Sequence, residues 1–388
     1  MNNNILKYIT IILFFGFIFT VPIITLLTPN KKISEIENKI LTPLPNLSLK
    51  NIQDKSFMNN FNKYSSDQFP WRENFIKYKN SFSYTIGSRE FRCIYINNDN
   101  RYMEKFVSNN KVIDKNISQA TNLSKYFYDN YKIKSTLMII PTSIAFYKDT
   151  LPSWAISDNQ KHTIDYINLK IEKLSTNSSD NEYDNFFKFY SPYTILKKYA
   201  DLPIYFNTDH HWTQLGARIA YEYLYNNEVT TNSIYNGYSK VSNNFYGTYY
   251  SKAMLPNIKS DDLYAYNQFN NFKVSIDLTK NFNTLYDNDR LKGKNKYQYF
   301  LHGDPAFAVI DGNPSKSIEL LVFKDSFAHS FIPFLTSNYK KIHVVDPRYY
   351  HIDVKKYLSE NTNIKEALLI SNIQTFNSSE LYNLIKKN

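Results

Sequence analysis

The chain has 388 residues, 43% of them hydrophobic and 21% charged, which suits one large globular domain or two smaller ones. Its net charge is +11, but the lysines are spread along the chain without a nucleic-acid motif, which argues against a nucleic-acid partner. A diffuse positive surface suits anionic envelope polymers, lipid head groups or simple solvation. The single cysteine, Cys93, excludes an internal disulfide and lacks zinc-ligand spacing nearby, so we expect a buried small hydrophobe.

The first thirty residues contain an uncharged, almost entirely apolar run at positions 9–27. That length is close to the ~20 residues that cross a bilayer as a helix, and exceeds the ~7–15-residue core of a cleavable signal. Residues 1–30 are therefore predicted to be an N-terminal membrane anchor, with a cleaved signal peptide as the alternative. Lys7 lies before the run and Lys31 and Lys32 lie after it, so charge counting does not favour a body outside the cytoplasm.

Residues 31–90 are predicted to form a stalk or N-terminal extension. The segment 41–47 contains two prolines and must be extended. Phe57, Phe61 and Tyr64 recur at helical spacing and predict a short amphipathic helix that ends before Pro70.

Residues 91–388 alternate between strand and helix patterns. Apolar strand patterns occupy residues 93–96, 135–140, 202–206, 318–323, 342–345 and 367–370, and helical patterns occupy 120–131, 163–174, 193–199, 215–225 and 326–335. This alternation predicts an α/β domain of three layers, α/β/α, around a mainly parallel sheet. The segment at about 230–300 is irregular and rich in Asn, Tyr and Asp, so we interpret it as an insertion.

Ser326 is the first candidate site residue. It follows an apolar strand and Asp325 and opens a predicted helix, which places its hydroxyl at the carboxyl edge of the sheet. The N–H groups at the start of that helix would suit a developing oxyanion. The simpler interpretation is that Asp325 or Ser326 merely caps the helix.

Asp209 and His211 are the second candidates, in the stretch Asp209-His210-His211-Trp212-Thr213. Residues two apart in an extended segment face the same side, so both could face one site while His210 points away. A turn is needed for a direct bond between the carboxylate and the ring. A carboxylate and an imidazole beside a serine suit acyl transfer.

The histidine pair also fits two roles other than acyl transfer. One is a metal site, which we rank lower because no further ligand cluster is evident, and the second is a structural His-Trp cluster. His329 is a lesser rival for the base, and we expect it at the surface or behind the site.

Three further positions are candidates for substrate or oxyanion contacts, namely Asp325, Arg348 and Gly247. Arg348 follows a strand and could orient a substrate, or form a structural turn with Asp346. Gly247 lies in an irregular loop and could offer a backbone N–H to the oxyanion, although such glycines more often serve turns.

These residues carry a family resemblance. The Asp-His-His-Trp-Thr stretch, followed by Gly216, resembles the signature of the DHHW family, bacterial proteins similar to the SGNH-hydrolase-like alginate O-acetyltransferases of the AlgX and AlgJ type. Further stretches agree in order: Ser34-Glu35-Ile36-Glu37-Asn38-Lys39, Asp67-Gln68-Phe69-Pro70-Trp71-Arg72, Phe245-Tyr246-Gly247-Thr248, Lys324-Asp325-Ser326-Phe327 and Asp346-Pro347-Arg348-Tyr349-Tyr350. The resemblance thus spans nearly the whole chain after the anchor.

The resemblance implies an SGNH-like α/β/α catalytic domain with a triad of Asp209, His211 and Ser326. It implies transfer of acetyl groups to an exported cell-surface polysaccharide by a reaction that needs no cofactor. A membrane-bound O-acyltransferase would supply the acetyl groups. The catalytic domain would then lie outside the cytoplasm. The sequence departs from the superfamily's Gly-Asp-Ser block at Lys324, where glycine is usual.

Three functions fit these observations. The first is a polysaccharide O-acetyltransferase that works through an acetyl-serine intermediate. The second is a carbohydrate acetyl esterase, in which water replaces the sugar hydroxyl at the same triad. The third is a non-catalytic polysaccharide-binding or assembly protein of the envelope, which predicts a large separation between Ser326 and His211.

Overall fold

The structure is a computed structural model that describes residues 3–34, 36–37, 39–176, 186–230, 235–269, 271–350 and 353–383. It begins with helix α1, Asn3–Leu27, which contains Pro22. Within the described residues, the segment Ile5–Thr25 is long and apolar enough to cross a membrane, and none of it is buried. Such a helix suits either an anchor or a signal sequence.

The chain divides into two compact units, of which the smaller contains residues 1–91 and 251–258. Besides α1 it contains β1 (Ile33–Ser34), β2 (Lys39–Ile40), α2 (Leu49–Gln53), α3 (Ser56–Asp67), α4 (Arg72–Thr85) and β3 (Glu90–Phe91). Helix α3 includes the predicted amphipathic helix.

Two of the family-like stretches meet inside this smaller unit. Arg72 donates two hydrogen bonds to the Glu37 carboxylate at 2.8 and 3.0 Å. Lys39 pairs with Asp67 at 2.6 Å, and the same carboxylate accepts a bond from the Thr42 N–H. The two stretches, about 30 residues apart, therefore form one ion-paired cluster and have a structural role.

The larger unit contains residues 92–250 and 259–388 and is built around one eight-stranded sheet. Its strands are β6 (Lys134–Ile140), β7 (Phe187–Tyr190), β10 (Val274–Ile276), β11 (Lys280–Phe282), β12 (Phe307–Asp311), β13 (Glu319–Lys324), β14 (Lys341–Val345) and β15 (Ile364–Asn372). Their order is β11-β10-β12-β14-β13-β15-β6-β7.

The remaining elements of this unit surround the sheet. The strands are β4 (Ile94–Ile96), β5 (Tyr102–Glu104), β8 (Tyr238–Phe245) and β9 (Asp261–Tyr266). The helices are α5 (Asn110–Tyr131), α6 (Ile144–Tyr147), α7 (Gln160–Thr176), α8 (Tyr193–Lys198), α9 (Gln214–Asn226), α10 (Thr248–Ala253, which continues into the smaller unit), α11 (Ile332–Leu335), α12 (Val354–Glu360) and α13 (Ile373–Ser378). Short 3-10 helices span Lys148–Thr150, Asn267–Phe269, Asn288–Lys292, Lys296–Tyr299 and Ser326–Ser330.

The sheet separates two hydrophobic cores because successive strand residues point to opposite faces. On β13, Leu320 and Val322 belong to one core, while Leu321 and Phe323 belong to the other. The first core includes residues of α9 and of the 238–301 region, and the second includes residues of α5, α7 and α12. All six β13 residues are buried, which explains the apolar run at positions 320–323 between its charged ends.

The sheet is mixed, so the predicted mainly parallel sheet holds for one half. Strands β14, β13, β15, β6 and β7 pair in parallel, whereas β11, β10, β12 and β14 pair antiparallel. The antiparallel half comes largely from the predicted insertion, whose strands are too short to show a periodicity.

Three local predictions differ from the structure. Cys93 is exposed, not buried, because its φ of 64° ends regular strand geometry just before β4. The predicted strand at 202–206 is reduced to a single bridge between Tyr205 and Trp212. The predicted helix 326–335 is a 3-10 turn followed by the one-turn helix α11, which has a proline in its first turn.

Candidate active site

The loop that carries Asp209 and His211 is held at its base by the Tyr205–Trp212 bridge. The Trp212 indole is fully buried, and its Nε1–H donates to the carbonyl oxygen of Phe327 at 2.8 Å. Phe327 follows the candidate nucleophile. The indole therefore ties the histidine loop directly to the serine turn, which explains a tryptophan beside two histidines.

The loop runs straight into helix α9. Thr213 is the N-cap residue, and its hydroxyl accepts from the Gly216 N–H at 3.3 Å. Gly216 packs so closely on the preceding chain that a Cβ would lie 2.4 Å from the Ile204 carbonyl oxygen. The glycine of this stretch therefore allows the helix to contact the base of the loop.

Asp209, His211 and Ser326 form a continuous hydrogen-bonded line. The Asp209 Oδ2 lies 2.6 Å from His211 Nδ1, and His211 Nε2 lies 2.8 Å from Ser326 Oγ. Asp209 Oδ2 also accepts from the His211 backbone N–H at 3.2 Å, which forms the turn that brings the ring back to the carboxylate. With the ring proton on Nδ1, Nε2 is free to accept the serine proton.

The electrostatics of this line favour an ionised carboxylate and a neutral ring. Burial opposes ionisation of Asp209, but the charges and hydrogen bonds of His210 and His211 lower its pKa well below the usual value. Burial and the neighbouring His210 together lower the pKa of His211 to about 4, although Asp209 acts in the opposite direction. At neutral pH, His211 is therefore an unprotonated base.

His210 lies beside this line, so the prediction that it points away is wrong. Its ring centroid is 3.7 Å from that of His211, and its Nδ1 is 2.6 Å from the Thr248 hydroxyl. The reason is that the segment bends instead of remaining extended, so alternate residues do not face opposite sides.

The serine turn is shaped by Asp325. Its Oδ1 accepts from the Phe327 N–H at 2.9 Å, and its Oδ2 accepts from both the backbone N–H and the side-chain amide of Asn372. Ser326 is partly exposed, whereas Asp325 and Phe327 are buried. Asp325 therefore acts as the helix cap and fixes the turn, while the hydroxyl of Ser326 stays accessible.

Gly247 contacts the site from the side of the carboxylate. Its N–H donates to the Thr208 hydroxyl at 3.1 Å, so this donor is engaged within the protein. A Cβ at this position would lie 2.1 Å from Asp209 Cβ. The glycine thus leaves room for Asp209, whose Oδ1 accepts from the Thr248 N–H at 2.7 Å.

Gly247→Ala is expected to destabilise the protein by about 1–3 kcal/mol, because the added methyl group overlaps Asp209 in a packed site. Gly293→Ala is the matched control, since a Cβ there meets nothing closer than 3.7 Å. Urea unfolding of the two variants and the wild type measures the difference. Equal stability of the two variants would show that the Asp209 contact is relaxed at little cost.

Two further residues support the triad and were missed by sequence reasoning. The Tyr297 ring is buried and stacks on the His211 ring at 3.6 Å and 7°. Asp261 accepts from the Asn207 and Thr208 N–H groups at 2.8 and 2.7 Å. Both lie in the irregular 230–300 segment, where no periodicity or motif spacing identifies them.

A buried charge cluster lies behind the serine turn. Lys324 is fully buried and donates to Asp346 at 2.9 Å and to His329 at 2.8 Å. Arg348 donates to the same Asp346 carboxylate at 2.8 and 2.7 Å. The lysine that replaces the usual glycine is thus paired within the protein.

This cluster defines the positions of two other candidates. His329 is fully buried in this cluster, so of its two predicted positions it takes the one behind the site and not the one at the surface. Burial and the neighbouring Lys324 hold its pKa well below the usual value, which leaves a neutral ring that accepts from the lysine. Arg348 forms the predicted turn with Asp346, and about a quarter of its side chain stays exposed.

Asp209, His210 and His211 also offer three metal-ligand atoms within 4.8 Å of one another. These atoms are already engaged. Both ring nitrogens of His211 bond to Asp209 and Ser326, and His210 Nδ1 contacts Thr248. This donor set therefore suits a hydrogen-bonded triad better than a metal ion.

Comparisons with known proteins show the family and the fold of this chain. The DHHW protein family matches residues 79–345. The crystal structure of a DHHW family protein from Eubacterium siraeum is 18% identical and superposes with a TM-score of 0.60, covering 77% of this chain and 98% of that chain. A search of proteins with curated function finds no match.

Two further solved structures are similar. Bacillus cereus PatB1 with a sulfonyl adduct is 18% identical, with a TM-score of 0.58 over 76% of this chain and 98% of that chain. The O-acetyltransferase domain of Pseudomonas putida AlgJ is 14% identical, with a TM-score of 0.43 over 74% of this chain and 93% of that chain. At these identities the first of the two establishes a shared fold.

Proposed function

We propose that this chain, which belongs to the DHHW family, is an O-acetyltransferase that modifies an exported cell-surface polysaccharide through an acetyl-Ser326 intermediate. The observation that carries the proposal is the unbroken line from Asp209 through His211 to the Ser326 hydroxyl, with bonds of 2.6 and 2.8 Å. This short separation argues against the non-catalytic alternative.

The reaction follows from the roles of the three residues. His211 Nε2 takes the proton of Ser326 as its Oγ attacks the acetyl carbonyl carbon of the donor. The leaving group departs with that proton and leaves an acetyl ester on Ser326. A sugar hydroxyl then gives its proton to His211 and attacks the ester, and Ser326 Oγ recovers the proton as it leaves. Asp209 stabilises the protonated ring in both halves.

The oxyanion formed in each half requires donors near Ser326. Among the first-turn N–H groups, those of Phe327 and Ala328 already donate to the Asp325 side chain and carbonyl. The backbone N–H of Ser326 is therefore our candidate donor at this turn. This assignment replaces Gly247, whose N–H is engaged by Thr208.

Helix α1 supports a location at the membrane, and the proposed reaction on an exported polymer places the catalytic domain outside the cytoplasm. An exported polymer is encountered there. Acetyl donors of metabolism are cytoplasmic, so a membrane-bound O-acyltransferase partner would deliver the acetyl group across the bilayer.

The test uses the full-length protein in detergent micelles with 4-nitrophenyl acetate, with and without oligosaccharides. Acetylated sugar, detected by mass spectrometry, would support a transferase. Acetate release without acetylated sugar would make the protein an acetyl esterase with the same triad. If no acetyl-Ser326 forms and a sulfonyl fluoride does not label Ser326, the nucleophile assignment is wrong.

The pH dependence offers an independent prediction. Burial and the neighbouring His210 together lower the pKa of His211 to about 4, below its ordinary value of 6.5. The neutral base therefore persists as pH falls, and we expect kcat/KM to decline near pH 4 instead of near pH 6.5. Rates of ester hydrolysis measured between pH 3.5 and 8 give the midpoint of this decline. Protein incubated at each pH and then assayed at pH 7 shows whether unfolding contributes to the loss. A midpoint at 6.5 would contradict the buried, neutral ring.

A further inference from the structure

A cavity of about 590 Å³ lies beside the triad loop, within the larger unit. Asn207 contributes to its wall and stands two residues before Asp209. This volume lies within the range of about 300–1,000 Å³ that is typical of small-molecule sites. The triad residues are not in its wall, so the cavity adjoins the reacting groups without containing them.

The wall of this cavity offers aromatic faces to solvent. Tyr235 and Tyr264 both line it, and their side chains are 55% and 45% exposed. Tyr264 lies on β9, where Asp262 and Tyr264 alternate with buried residues and therefore share the outward face. An exposed phenol combines an apolar face with a polar tip, which suits the face of a sugar ring and its hydroxyl groups.

Two cations and two carboxylates line the wall, and Lys240, which pairs with one of these carboxylates from beside the wall, leaves one positive charge in excess. Asp262 pairs with Lys240 at 2.8 Å, and the Asp261 carboxylate is occupied by backbone N–H groups of the triad loop. Arg101 and Lys259 also line the cavity, and within the described part of the chain we find no ion pair to either. The Arg101 Nη1 is buried without a hydrogen-bond partner there. An anionic ligand would therefore find two cations, Arg101 and Lys259, that have no direct ion pair, although the Arg101 guanidinium lies 3.9 Å over the Tyr147 ring.

The topology places this cavity at the same edge of the sheet as the nucleophile. Tyr205, another wall residue, donates to the carbonyl oxygen of Pro141, which directly follows β6. Ser326 follows β13, and β15 is the one strand between β13 and β6. Two inter-strand spacings separate the two strand ends by about 10 Å. A polymer bound in the cavity could therefore extend along this edge toward Ser326.

We propose that this cavity binds the acceptor, an acidic glycan chain, and presents its hydroxyl groups to acetyl-Ser326. This inference rests on the proposed acetyl transfer, but the binding itself does not require catalysis. Stacking on Tyr264 and Tyr235 holds the sugar rings, and Arg101 and Lys259 select carboxylate-bearing sugars. The small acetyl donor needs none of these four residues.

The first experiment measures binding by calorimetry with full-length Ser326→Ala protein in micelles, using an oligouronate and a neutral oligoglucose of equal length. We expect the oligouronate to bind more tightly. Adding Tyr264→Ala or Lys259→Gln should weaken oligouronate binding about two- to tenfold. Tyr223→Ala is the matched control, because this partly exposed tyrosine lies in the last turn of α9, outside the cavity wall. It should bind as tightly as its parent.

The outcomes separate this inference from the proposed function. Equal oligouronate affinity in the Tyr264→Ala variant and its parent, or no binding of either sugar, would overturn the cavity assignment. Tighter binding of the neutral sugar than of the oligouronate would overturn the assignment of an acidic ligand. In protein with Ser326 intact, Tyr264→Ala should raise the KM for the acceptor, whereas Tyr223→Ala should leave that KM and the hydrolysis of 4-nitrophenyl acetate unchanged. Failure of ester hydrolysis in the wild type would count against the triad mechanism and leave the binding result standing.

Discussion

Ser326→Ala is expected to lower turnover of an acetyl ester by about 10⁴- to 10⁶-fold, because the substitution removes the atom that carries the acetyl group. The variant should fold normally, since Ser326 is partly exposed and its turn is held by Asp325 and by the Trp212 indole. The measurement is the initial rate of 4-nitrophenyl acetate hydrolysis at pH 7, together with a mass spectrum of the intact protein after reaction.

Ser337→Ala is the matched control. Ser337 lies shortly after helix α11, which follows the serine turn. Its hydroxyl bonds to Phe334 and Asn338 and not to His211. It should retain wild-type turnover and the mass increase of one acetyl group. If the Ser326→Ala variant keeps more than a hundredth of the wild-type rate, or still gains the mass of one acetyl group, another residue is the nucleophile.

The proximity of Asp209, His211 and Ser326 could be predicted because local patterns and the family resemblance indicate the same three residues. Ser326 follows a fully buried strand, and such strands have continuous apolar sequences. Asp209 and His211 are two residues apart, and the turn that joins them is formed by the aspartate itself. Each signal is contained in a few consecutive residues, and strand order then brings the two stretches together.

The supporting residues could not be predicted, because their roles depend on distant pairings. Tyr297 stacks on a ring 86 positions earlier in the chain, and Asp261 binds backbone groups more than 50 residues away. In a chain with 34 tyrosines, composition does not distinguish the one that supports His211. The short strands of this region form much of the antiparallel half of the sheet. Their pairing could not be predicted either, because it also joins residues that are far apart in the chain.

Lys324 illustrates how one substitution in a motif is accommodated. The resemblance predicts glycine before Asp325 and Ser326, and the lysine at this position introduces a buried ammonium group. Burial lowers the pKa of Lys324, while the adjacent Asp346 carboxylate acts in the opposite direction. Arg348 and His329 complete the cluster. Arg348, a predicted substrate contact, therefore has a clear structural task behind the serine turn.

Asp209→Asn is the second variant for which we expect a large effect, a loss of about 10⁴-fold in kcat/KM. The Asp209 carboxylate accepts hydrogen bonds on both of its oxygens. Oδ1 receives the N–H and hydroxyl of Thr248, and Oδ2 receives the N–H and the ring Nδ1–H of His211. An amide must turn its NH₂ group toward one of these pairs.

Either orientation of that amide is unfavourable. An NH₂ group toward Thr248 opposes a backbone N–H at a 2.7 Å contact. An NH₂ group toward His211 opposes a second backbone N–H and also favours the ring tautomer with its proton on Nε2, which cannot accept the serine proton. A buried donor left unpaired costs about 1–3 kcal/mol, so the variant should also be less stable than the wild type.

Two measurements separate these effects. Urea unfolding gives the stability loss, and kcat/KM for ester hydrolysis at pH 7 gives the catalytic loss in the fraction that is folded. Asp129→Asn is the control, because this exposed carboxylate on α5 pairs with Lys125 at the surface and should change neither quantity. A folded Asp209→Asn protein with wild-type kcat/KM would mean that His211 needs no carboxylate to hold its tautomer, and the Asp209 role would be structural alone.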